Sequence, residues 1–150
     1  MGAILRARAL LPADPFPRIE GWPGRMFSAI AAAQNTPFSW GVHDCCLFAA
    51  DVALLIKGYD YAASFRGTYN SQESAAARIT EAGAANLRAL ATLLIGAEIT
   101  PLVARRGDVV YRSTSPLGAL GICVGAQAVF AGPAGTTIVD MDSVEAAWRI

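Results

Sequence analysis

The chain has 150 residues and a formal net charge of zero, with 12 Lys and Arg against 12 Asp and Glu. That length suits one domain with a full core, and the even balance speaks against a basic nucleic-acid surface or an acidic tail. No run reaches the ~18 apolar residues of a membrane span. Charged residues are only 16% and hydrophobic ones 54%, many of them alanine. Either a partner covers part of the surface or alanine inflates the count. Two of the three cysteines are adjacent, Cys45 and Cys46, and neighbours bond each other only with strain. Free thiols in a reducing compartment are expected.

Residues 1–24 carry Pro12, Pro15, Pro17 and Pro23, which argues against a long helix or a central strand. They read as an extended arm, lying on the domain or on a neighbour, with Phe16 and Trp22 as anchors. Met1–Leu11 has Arg6 and Arg8 but neither a full apolar core nor a small-residue cleavage site, so no secretory leader is expected. From Gly24 to Gln34, Met26, Phe27, Ile30, Ala31 and Ala33 fit an amphipathic helix. Asn35-Thr36-Pro37 ends it.

Asp44 stands in a good N-cap position before Cys45–Lys57, a segment apolar nearly all round and so a buried central helix. Gly58 is its C-cap. A cysteine in the first turn feels the positive end of the helix dipole, which favours thiolate. Residues 59–69 read as a loop with one helical turn. Asp51, amid apolar neighbours, needs a partner, and Arg66 is the candidate, with Tyr69 nearby. Further helices are expected from Ser71 to Gly83 and from Asn86 to Ile95. After Pro101 the pattern turns to strands: 108–113, 119–125, 128–131 and 136–140, separated by glycine turns. Ser143–Ile150 reads as a closing turn anchored by Trp148. Helices first and strands after predict an α+β domain whose antiparallel sheet packs on the central helix. Strand alternation is read as turning Cys123 toward that helix.

Three local patterns, in order, carry a resemblance: Trp40-Gly41…Asp44-Cys45, Arg106-Gly107-Asp108-Val109-Val110, and Leu120-Gly121-Ile122-Cys123-Val124-Gly125. They resemble the nucleophile box, a strand start and the Gly-Ile strand of NlpC-type cysteine peptidases. Arg66-Gly67-Thr68-Tyr69 and Ala147-Trp148-Arg149 are similar to patterns in a subgroup of small proteins encoded among phage and prophage tail genes. The resemblance implies a papain-like fold over residues 25–150, N-terminal helices on a small C-terminal antiparallel sheet, with the arm 1–24 outside it. It implies Cys45 as nucleophile, a base at the position of Ala119 and an orienting group near Ala131. Neither alanine can do that work.

His43, the only histidine, is the remaining candidate base, though Asp44 is equally placed to pair with it. Trp40, with other aromatics, is a candidate substrate platform, against core packing. No cofactor or metal is expected, because His43-x-Cys45-Cys46 with Cys123 closes poorly around zinc. The implied function is a structural component of a phage or phage-like tail tip, located in the virion, with other tail-tip proteins as partners. The alternative is a cysteine peptidase or amidase, with Cys45 as nucleophile, cutting the peptide crosslinks of host cell-wall peptidoglycan as the particle enters.

Overall fold

The computed structural model describes residues 17–150. Four helices precede five strands: α1 (Trp22–Ala33), α2 (Cys45–Lys57), α3 (Gln72–Glu81), α4 (Leu87–Ile95), β1 (Val109–Arg112), β2 (Ala119–Cys123), β3 (Gln127–Gly132), β4 (Gly135–Asp140) and β5 (Ala146–Trp148). The helix starts follow local chemistry. Side chains of Asp44, Ser71 and Asn86 accept from the backbone N–H of Leu47, Ser74 and Ala89, each covering a donor left free at a helix start.

Helix α1 begins at Trp22 rather than Gly24, with Pro23 in its first turn, where its missing N–H costs nothing. The expected division at 24/25 therefore falls inside a helix. Residues 17–21 are also tied to the domain. Arg18 donates to the carbonyls of Ile150 and Arg106 and to the Asp108 carboxylate, and Ile19 N–H donates to the Ile56 carbonyl. Of the arm expected over residues 1–24, residues 1–16, Phe16 included, lie outside the described residues.

The sheet is antiparallel, in the order β4-β3-β2-β1-β5. The first four strands form the expected meander. The C-terminal segment is a fifth strand, not a closing turn, and lies beside β1, with Val110 opposite Ala147. Three residues framed by turns carry too little alternation to read as a strand; the pairing with β1 supplies it. Trp148 is fully buried there, its indole N–H donating to Thr92 Oγ1 of α4 at 3.2 Å.

Both faces of the sheet are covered. Tyr111, Leu120, Ile122, Val129, Ala131 and Trp148 pack with α1, α2 and α4 in the main core. Val110, Cys123, Ala128, Phe130 and Ala147 form a second cluster on the other face, under Ile99, Ala104, Met141 and Val144. Cys123 thus faces away from α2, against expectation. Leu120 and Ile122 fill the helix side, and alternation sends their neighbour to the far side. Gly121 is fixed by packing: a Cβ there would meet the Val129 carbonyl oxygen at 2.5 Å and the Phe130 ring at 2.7 Å.

Candidate functional site

The segment before α2 is a knot of backbone and one carboxylate. Asp44 is buried and accepts three hydrogen bonds: from Leu47 N–H (2.9 Å), Gly41 N–H (3.0 Å) and the Tyr69 hydroxyl (2.5 Å). Gly41 has φ +78°, and a Cβ there would sit 1.9 Å from the Tyr69 carbonyl oxygen. The loop can close this tightly only over a glycine. Gly67 N–H donates to the Gly41 carbonyl. The Trp40-Gly41…Asp44 and Arg66…Tyr69 patterns are therefore two halves of one contact. The expected Arg66–Asp51 ion pair is present at 2.7 Å, with Asp51 nearly half-exposed rather than buried. Arg66 also makes a two-pronged contact with Asp60, whose carboxyl is held below the usual carboxylate range by those bonds.

Cys45 opens α2 beside this knot and lines an open groove of about 400 Å³. Trp40 and Phe38, packed edge to face at 5.0 Å, line the same groove. Ala119 at the start of β2 and Ala131 on β3 are there too, with Leu117, Ser115 and Gln72. The structure thus gathers Cys45, Trp40, Ala119 and Ala131. Trp40 and Cys45 also line a smaller hollow of about 20 Å³ with Tyr69 and Asp44.

His43 is not part of either hollow. Its backbone pairs with Ser39, its ring is buried and lies edge-on to Phe48, and its Nε2 has no hydrogen-bond partner among the described residues. Asp44 spends its oxygens on Gly41, Leu47 and Tyr69 instead.

Burial works against the thiolate form at all three cysteines. Burial pushes the Cys45 thiol up to about 11, and the neighbouring Asp44 carboxylate acts the same way. Backbone amides of Leu120, Cys46 and Cys45 itself pull in the opposite direction but do not prevail. The dipole argument thus loses to desolvation here. Cys46 is raised further by burial, then by Cys45 and Asp44. Cys123 lies on the far face of the sheet, so the three thiols do not converge. Among the described residues no three His, Cys, Asp or Glu side chains gather as a metal site would require.

Sequence reading missed two features. The bond from Tyr69 to Asp44 joins positions 25 residues apart, and no local pattern announces it. The burial of Asp108 was hidden because, beside the local Arg105 N–H, it accepts from Arg18 and Ile150 N–H at opposite ends of the described chain.

Fold and site define a small α+β domain with a cysteine at the start of its central helix, lining a groove. The chain belongs to the family described as domain of unknown function DUF6950, whose model matches residues 17–150. No curated protein matches the sequence. Among the described residues no helix is long and apolar enough to cross a membrane.

Proposed function

We propose that this protein is a structural component of a phage or phage-like tail tip, built on a papain-like domain of NlpC type that has lost catalysis. One observation carries the loss of catalysis. The groove holds the Cys45 thiol, yet the positions that the resembling peptidases use for the base and its orienting group are Ala119 and Ala131. The only imidazole, His43, is packed against Phe48 instead. The tail setting rests on the sequence resemblance, and the low charge content suits a protein that buries surface against other tail-tip proteins in the virion.

Iodoacetamide tests the thiol. At about pH 8, labelling of Cys45 should be slow, and it should accelerate as the pH approaches 11. Fast labelling at neutral pH that disappears in Cys45→Ala would reject the inert site. The assembly role is tested in purified particles, where the protein should be present at a fixed copy number. Its absence from particles would count against a structural role.

A second reading has an observation of its own. The thiol borders an open groove and lies beside the backbone amides of Leu120 and Cys46, the kind of donors an acylation oxyanion requires. With a base supplied by another chain, Cys45 would serve a peptidase or amidase acting on peptidoglycan crosslinks. Digestion of peptidoglycan by the wild type and not by Cys45→Ala would establish it.

The raised thiol also gives a stability prediction. Unfolded cysteine ionises near 9 and Cys45 in the fold near 11. The unfolded chain therefore loses its proton first, and folding stability falls as pH rises from 9 toward 11. Urea unfolding should show that decline, shallower in Cys45→Ala. An identical slope in both proteins would show that Cys45 is not a source of it.

A further inference from the structure

The two edges of the sheet are treated differently. At one end, β5 is three residues long and its outer side is bridged by Ile99, whose N–H donates to the Ala147 carbonyl at 2.8 Å. At the other end, β4 is six residues, Gly135–Asp140, and among the described residues no strand neighbours its outer side. Natural edges are usually blunted by lysine, proline, a bulge or a covering segment. Over Thr136–Val139 this one has no charge and no proline, and its pairing with β3 runs without a bulge. It is four β-branched residues in a row, and Ile138 is 56% exposed.

The register decides which backbone groups are free. Met141 N–H donates to the Ala126 carbonyl, just beyond the Ala128–Val139, Phe130–Thr137 and Gly132–Gly135 pairs. Hydrogen-bonded and non-bonded pairs alternate in an antiparallel ladder. Gly135, Thr137 and Val139 therefore bond to β3, while Thr136, Ile138 and Asp140 turn their N–H and C=O outward. Ile138 stands opposite Val129 and Thr136 opposite Ala131, so both side chains lie on the helix side of the sheet.

We propose that this edge pairs antiparallel with the same edge of a second copy of the chain, about a two-fold axis at Ile138. The strand fits itself. In that register Ile138 faces its own counterpart, burying two exposed side chains against each other. Thr136 faces Asp140 of the other copy, a hydroxyl beside a carboxylate. Thr137 faces Val139, and no carboxylate meets a carboxylate. The outward N–H and C=O groups of the two strands then satisfy one another, joining two five-stranded sheets into one. This inference is independent of whether Cys45 is catalytic.

Sedimentation of the full chain over about 5 to 500 micromolar should show concentration-dependent dimerisation. Ile138→Lys, which sets two like charges face to face, should abolish it. Ile138 is exposed, so its unchanged circular dichroism and melting would confirm that the fold survives. Amide exchange gives a second readout. The Ile138 N–H should become protected as concentration rises, while Thr137 and Val139, bonded to β3, stay protected throughout. A wild type that remains monomeric over the whole range overturns the proposal, including the case where a different protein's strand occupies the edge. So does a dimer that Ile138→Lys leaves intact with no protection at Ile138.

Discussion

Asp108→Ala should cost roughly 3–5 kcal/mol, the range for breaking a buried charge network from one side, and lower the melting temperature by about 10 °C or more. The carboxylate is fully buried and joins three parts of the chain. One oxygen accepts from Arg18 at 3.0 Å and from Ile150 N–H at 3.1 Å; the other accepts from Arg105 N–H at 2.8 Å, with Arg149 at 3.6 Å. Removing it leaves the Arg18 guanidinium partly buried among the charges of Arg105 and Arg149, which already act to lower its pKa, after burial. Asp108→Asn should also destabilise, because its amide would point a donor at a donor on one side or the other. Denaturant unfolding measures both. A loss below about 1 kcal/mol for Asp108→Ala would show that water replaces the carboxylate.

Asp44→Ala should cost roughly 3 kcal/mol, from the lost helix cap together with a buried donor on Gly41 and a part-buried one on Tyr69 left without an acceptor. It should also change the chemistry of the neighbouring thiol. The Asp44 carboxylate helps to hold the Cys45 pKa up, so its removal should speed iodoacetamide labelling of Cys45 at a fixed pH of about 8. Tyr69→Phe separates the two effects. It removes one hydrogen bond, costs about 1–2 kcal/mol, and keeps the carboxylate, so labelling should stay slow. If Asp44→Ala labels no faster while remaining folded, burial alone sets the thiol pKa.

The same residues show where sequence reading reached and where it stopped. Helix starts are local: Asp44, Ser71 and Asn86 stand next to the runs they start, and the start of each helix was legible. So were the four strands of the meander, since alternation and glycine turns lie within each stretch. The Arg66–Asp51 pair was expected on the premise of a buried carboxylate; the pair is present, but Asp51 is nearly half-exposed, so burial does not require it. The fifth strand was not legible, because three residues become a strand only when β1 lies beside them. The face chosen by Cys123 was not either: the alternation of β2 is visible, but which side meets α2 depends on where the sheet docks.

By itself, then, the sequence determined the α+β order, the central helix and the cysteine at its start, because each follows from contacts a few residues apart. The tertiary structure decided the state of that cysteine. Helix-start geometry is local and favours thiolate, whereas burial and the enclosed Asp44 are properties of the packed molecule and favour the thiol. It also decided what shares the groove with Cys45. Positions 119 and 131 line one groove with Cys45 only when β2 and β3 pack against α2, and alanine at both supplies no base.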